Sequence, residues 1–218
     1  MSLDFSVVLA EWPLLAKGVA VTLGLTAVAA AAGMVIGVAC AWSRVHGAAW
    51  LQALVGAYVE LIRNTPFIVQ LFFVFFGLPG IGVRLSPETA SVLAMVVNLG
   101  AYAAEIVRAG VATTPRGQIE AARSLALSEA QVFLRVVLPP ALGRVWPALV
   151  SQIIIVMLGS AVCGQISTPD LSYAANLIQS RTFRAFESFI VATLVYLALS
   201  VALRHLLRWA GPRFIFGR

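Results

Sequence analysis

A chain of 218 residues that is 61% apolar and only 11% charged lacks the polar surface a soluble globule of this size needs. Its mean hydropathy of +0.94 places it in lipid. The net charge of +6 comes from one lysine and fourteen arginines gathered mainly at the edges of apolar runs, a pattern of membrane topology rather than of nucleic-acid binding.

A hydrocarbon core about 30 Å thick takes roughly 20 helical residues to cross, and uncharged runs of that order recur along the chain. The N-terminus begins Met1-Ser2-Leu3-Asp4, without a basic region or a small-residue cleavage site, so the first span itself is expected to direct insertion. That span, about 15–43, rests on the uncharged run Gly18 to Trp42. It carries Gly33 and Gly37 at GxxxG spacing, which lets another helix approach closely. The second, about 55–79, uses the uncharged run Asn64 to Val83, with Phe72, Phe73, Phe75 and Phe76 ahead of a Leu-Pro-Gly stop. The third, about 88–110, runs from Thr89 through Glu105 to Gly110, the fourth, about 140–165, lies in Val145 to Pro169, and the fifth, about 186–208, in Ser188 to Leu203. The expectation is an all-α, polytopic transmembrane helical bundle of about five spans, a single domain over residues 1–218.

Cys40 and Cys163 each lie inside an apolar run, with no histidine or second cysteine at ligand spacing, so neither a disulfide framework nor a metal site is indicated. Arginine placement sets the orientation, because short cytoplasmic segments collect Lys and Arg. Arg108, Arg116, Arg123, Arg135 and Arg144 fall between spans three and four, and Arg204, Arg208, Arg213 and Arg218 in the tail. Both regions are expected to be cytoplasmic, giving an N-out, C-in chain. The loop Leu171 to Phe186 then lies outside, although Arg181 and Arg184 reduce the charge contrast there.

The segment 114–139 mixes charge with apolar residues at helical spacing and cannot be a span. Thr114-Pro115 is a sensible helix start, and Ser128 with Gln131 three residues later matches a capping box opening a second short helix. In that second helix Val132, Phe133, Val136 and Val137 form one apolar stripe opposite Glu129 and Arg135, and Pro139-Pro140 is expected to end it before the next span. Such a stripe needs a partner. Periodicity alone favours a helix pair resting on lipid headgroups.

The same residues resemble a known motif. Glu120-Ala121-Ala122, a small residue at Ala126, then Val136-Val137-Leu138-Pro139 match the spacing of the EAA loop of type I ABC importer permeases. Further blocks resemble the polar amino-acid subfamily, similar to histidine-, glutamine- and arginine-type permeases: Tyr58-Val59-Glu60-Leu61-Ile62-Arg63-Asn64-Thr65-Pro66, Gly100-Ala101-Tyr102-Ala103-Ala104-Glu105-Ile106-Val107-Arg108, and Pro115-Arg116-Gly117-Gln118. The resemblance implies a permease subunit in a bacterial inner (plasma) membrane, importing polar amino acids. Its coupling helix, with Glu120, Ala121, Ala122, Ala126, Ser128, Leu138 and Pro139 as the coupling residues, docks on a separate ATPase. It also implies two cytoplasmic ATP-binding subunits, a second permease copy or homologue, and an external, periplasmic amino-acid-binding protein. No GxxxxGK[ST] loop occurs in the sequence, so the chain is not expected to bind nucleotide in that way, and the resemblance implies that ATP and Mg sit on the partner ATPase and that this chain is no enzyme itself. One departure is Ala126, where the family usually has glycine; a residue with a Cβ does not readily take left-handed conformations, so a different bend is expected there.

Polar groups inside spans are expensive and tend to face the bundle interior. Asn98 and Tyr102 in the third span and Gln152, Gly159 and Ser160 in the fourth are the candidates for the substrate path, with interhelical hydrogen bonding an equal reading for Gln152. Glu60 with Arg63 and Glu105 with Arg108 stand three apart and are expected to be structural ion pairs. Arg63-Asn64-Thr65-Pro66 reads as a hinge. Where the family typically carries Lys-Asp followed by small hydroxyl residues, this chain has Leu158-Gly159-Ser160-Ala161; the missing charged pair implies either a heterodimer whose other permease holds most of the substrate pocket, the favoured reading over a homodimer, or a less cationic substrate held by amides and backbone.

Three rivals fit less well. An intramembrane enzyme would need an HExxH pair, a serine-histidine arrangement or paired aspartates, and His46 and His205 sit at membrane edges instead. A secondary transporter usually shows inverted repeats, and none is evident. A non-catalytic membrane assembly or scaffold subunit would need neither the EAA spacing nor polar groups clustered in two spans.

Overall fold

The structure, a computed structural model, describes residues 3–211 and 213, so Arg218 of the tail lies outside the described residues. The described chain is an all-α bundle of α1 (Ser6–Ala10), α2 (Trp12–His46), α3 (Ala49–Arg63), α4 (Phe67–Phe72), α5 (Pro87–Ala112), α6 (Arg116–Ser124), α7 (Glu129–Gln131), α8 (Leu138–Gly159), α9 (Leu171–Thr182) and α10 (Ala185–Ala210). Four helical stretches are each long and apolar enough to cross a membrane, and a bent pair brings the number to five if it counts as one span.

α5 forms the centre. Ala94, Met95, Leu99, Ala103 and Val107 along it are all buried. α2 lies against it closely because Gly33 and Gly37 leave the room: a Cβ at Gly33 would stand 2.9 Å from the Leu99 Cβ, and one at Gly37 2.5 Å from the Ala103 Cβ. α8 packs on another side of α5, and α10 closes the bundle with Leu194, Leu197, Val201 and Leu206 facing outward, as a lipid-facing helix does.

The second crossing is not the straight span expected over 55–79. Ala49–Arg63 and Phe67–Ile81 meet at 109°. At 1.5 Å per residue each arm is roughly 22 Å long, too short to cross alone. Pro66 causes the break, since it has no N–H to continue the helix and its ψ of 139° is extended.

A second correction concerns Pro139-Pro140, which does not end a helix. Helical residues run without interruption from Glu129 to Ile166. A π-helical turn, Val132–Val137, directly precedes the prolines, which stand at the second and third residues of α8 inside the continuing helix. The segment expected as a separate short helix is therefore the lower end of the fourth span.

The expected external loop Leu171–Phe186 is mostly helix. The Asp170 carboxylate caps α9, accepting from the Tyr173 N–H at 2.8 Å and from the Tyr196 hydroxyl at 3.1 Å.

Candidate functional site

Two regions carry the candidate residues, the segment between α5 and α8 and the face of α5 that meets the bent pair. In the first, α6 starts after Pro115 and turns Ala122 inward, leaving Glu120 and Ala121 exposed. Leu125 follows, 77% exposed, and Ala126 then stands at φ 58°. The alanine thus takes the left-handed conformation that was expected to require glycine, at a cost of about 1 kcal/mol or slightly more, and the expectation of a different bend is corrected. Ser128 closes the turn: its Oγ accepts from the Gln131 N–H at 3.4 Å, and its own N–H donates to Gln131 Oε1 at 2.9 Å.

Ion pairs brace the turn. Arg123 Nε and Nη2 donate to the two Glu129 carboxylate oxygens at 2.8 and 3.0 Å. The bonded carboxylate raises the Arg123 pKa above its usual value and keeps the guanidinium charged. Glu129 also approaches His46 Nε2 at 3.6 Å, linking the segment to the end of α2.

The apolar stripe already has its partner. Val132, Phe133 and Val137 are buried with Ala41, Ala103, Val107 and Ala122 in one core that joins α2, α5, α6 and the base of α8. Phe133 meets Trp42 edge-on with ring centroids 4.8 Å apart, and Trp42 stacks on His46 at 4.0 Å. The stripe fastens the segment to its own bundle, and the outward surface of α6, with Glu120 and Ala121, is what it leaves exposed. Leu138 is half-buried beneath it and Pro139 exposed.

In the second region Asn98 and Gly159 come together. They line a cavity of about 90 Å³ with Phe67, Ile155 and Val156. Tyr102, one turn along, is not in that wall; its hydroxyl donates to the Arg63 carbonyl at 3.4 Å. Gln152 is buried on α8, outside the lining. Ser160 is fully buried and spends its hydroxyl on the Met157 carbonyl at 2.7 Å, so it faces no open path.

Of the two expected ion pairs, Glu105 and Arg108 are joined, and Arg44 approaches Glu105 at 3.7 Å. Glu60 and Arg63 are not. Glu60 Oε2 accepts from Asn64 Nδ2 at 3.0 Å, and the Arg63 guanidinium lies 5.6 Å from the Tyr102 ring centroid. Arg63 is the last residue of α3, and its side chain turns to the Tyr102 ring of α5 while Asn64, the helix cap, takes the Glu60 carboxylate. Gln70 is the residue sequence reasoning missed: its amide joins Asn98 to the Arg63–Pro66 break. The signal was available, because Gln70 is a lone amide in an aromatic run.

Residues 33–216 match the family model for the binding-protein-dependent transport system inner membrane component. The chain belongs to this family. It is accordingly a multi-pass inner-membrane protein. It is similar to the probable glutamine ABC transporter permease protein GlnM of Bacillus subtilis, 38% identical over 84% of each chain. The glutamine transport system permease protein GlnP of Escherichia coli is 34% identical over 95% of this chain and 96% of its own. Among solved structures, an amino acid ABC transporter crystallised with histidines matches with a TM-score of 0.87 at 34% identity, covering 98% of this chain and all of that one. The MetNI methionine ABC transporter in an inward-facing conformation matches with a TM-score of 0.71 at 26% identity, covering 93% of this chain and 94% of that one.

Proposed function

We infer that this chain is the transmembrane permease subunit of an ATP-driven importer of polar amino acids. It forms the translocation path with a second permease and takes its energy from a separate ATPase. The observation that carries this reading is the packing of the α6 segment: Glu120 and Ala121 point out of the bundle while Ala122 shares a core with Ala41, Ala103, Val107 and Phe133. A push on α6 therefore reaches α2 and α5 directly, since close-packed interiors transmit displacement.

In this reading the α6 end is cytoplasmic and the N-terminus external, following the arginines. Glu120, Ala121 and Ala126 form the contact with one of two cytoplasmic ATP-binding subunits, and Ala122 fastens that surface to the bundle from within. Ser128, Leu138 and Pro139 shape its base. ATP and Mg are held by those subunits, which supply the hydrolysis. The permease residues position the loop and the path.

Asn98 and Gly159 line the substrate path. Gln152, Tyr102 and Ser160 support its walls from behind. Among the described residues no charged side chain belongs to the cavity lining, which favours a heterodimer whose other permease holds the charged part of the substrate. An external amino-acid-binding protein delivers the cargo. The relatives named for glutamine make glutamine the first substrate to try.

Reconstitution decides the matter. With the ATPase, a partner permease and a glutamine-loaded binding protein in proteoliposomes, uptake should require this chain and ATP together. Uptake and ATP hydrolysis that continue without this chain would make it a scaffold subunit instead.

A further inference from the structure

A helix broken inside lipid must satisfy each freed backbone group within the protein. In a continuous helix the Ile62 carbonyl would accept from the N–H of residue 66, and Pro66 has none. Gln70 supplies the donor. Its Nε2 donates to the Ile62 carbonyl at 2.7 Å, to Thr65 Oγ1 at 2.9 Å and to the Thr65 carbonyl at 3.1 Å. Thr65 Oγ1 donates in turn to the Leu61 carbonyl at 2.8 Å. One amide from α4 thus reaches back across the break to two carbonyls on the α3 side of Pro66.

The other end of that amide faces the candidate path. Gln70 Oε1 accepts from Asn98 Nδ2 at 2.9 Å, and Asn98, 8% exposed, lines the cavity together with Phe67, the first residue of α4 after the break. Asn98 makes no other side-chain hydrogen bond among the described residues, which leaves its Oδ1 for whatever enters the cavity. One turn further on, Tyr102 holds the Arg63 carbonyl. A single face of α5 therefore grips the end of one arm and the start of the other.

We propose that Gln70 is a positioning residue of the translocation path, locking the bend between α3 and α4 to Asn98 so that the bend and the cavity wall move as one unit. The proposal rests on reading Asn98 as part of that path. A ligand that bonds Asn98 pulls on the same amide that holds Gln70, and the pull reaches the Ile62 and Thr65 carbonyls through one side chain.

The test is the number of glutamine molecules moved per ATP hydrolysed by the full complex in proteoliposomes. Gln70→Leu, close in size, leaves the Thr65 carbonyl without its donor and the Ile62 carbonyl with only the Thr65 hydroxyl at 3.5 Å, and the ratio should fall by at least about fivefold in correctly inserted protein. Adding Asn98→Ala should lower it by less than Asn98→Ala lowers it alone, because the bond the two residues share is already gone. A wild-type ratio in Gln70→Leu, or additive losses in the double variant, would overturn the proposal. A lost folding contact alone would reduce the amount of complex without moving the ratio.

A second measurement keeps the hinge separate from the substrate reading. Spin labels at Leu54→Cys and Phe73→Cys, in a Cys40→Ala, Cys163→Ala background, report the distance between the arms. One narrow distance that broadens in Gln70→Leu supports the hinge even if the wild-type complex moves no glutamine, an outcome that would count against the proposed substrate alone. Equal widths in the two proteins would sink the hinge.

Discussion

The chain interrupts its helices at Pro66 and again at Ala126, and the two breaks are held in opposite ways. At Ala126 the backbone turns through a left-handed alanine on an exposed surface, braced by a capping box at Ser128 and an exposed pair between Arg123 and Glu129. Water can satisfy whatever that turn leaves open, so an imperfect residue is tolerated. At Pro66 the freed carbonyls of Ile62 and Thr65 are taken by one side chain, Gln70, itself tied to Asn98. A break among apolar helices needs a dedicated donor, whereas a break at the surface needs only a workable turn.

That contrast can be broken by stability measurements on the purified permease, each read by thermal unfolding. The largest effect belongs to Gln70→Leu, which should cost about 2 kcal/mol because two half-buried carbonyls lose their amide donor. Removing the surface cap with Ser128→Ala should cost about 1 kcal/mol. If the two variants lose equal stability, the two breaks are not held differently. The smallest effect is Ala126→Gly, expected to leave stability unchanged or raise it by up to about 1 kcal/mol by relieving the left-handed alanine. A clear loss there would mean that the alanine methyl makes a contact the turn depends on.

Much of the fold was legible in the sequence for a physical reason: apolar run length acts over whole segments. The cap at Ser128 was equally legible, because Ser128 and Gln131 are three residues apart and their bonds are local. The close approach of α2 to α5 followed from the spacing of Gly33 and Gly37. What stayed hidden depends on partners distant in sequence or on how an interruption is absorbed. Proline marks a stop in a sequence, yet Pro139-Pro140 follow a π turn and lie inside a helix that continues, while Pro66 bends its helix by 109°. Arg63 and Glu60 have ion-pair spacing, but Tyr102 from α5 takes the arginine and Asn64 takes the carboxylate. Asn98 was visible as an amide in a span, but its bond to Gln70 joins residues 28 apart.

The central claim is that the exposed face of α6 receives the ATPase's motion and passes it to the spans. Glu120 lies on that face, away from the buried core, so Glu120→Lys should change docking and leave the fold alone. The most direct measurement is ATP-driven glutamine uptake by the reconstituted complex carrying Glu120→Lys, with membrane insertion of the chain checked in the same preparation. The expected result is uptake reduced by about tenfold or more, the equivalent of roughly 1.4 kcal/mol of lost coupling, with insertion unchanged. Wild-type uptake in the properly inserted variant would contradict the assignment of α6 as the coupling element.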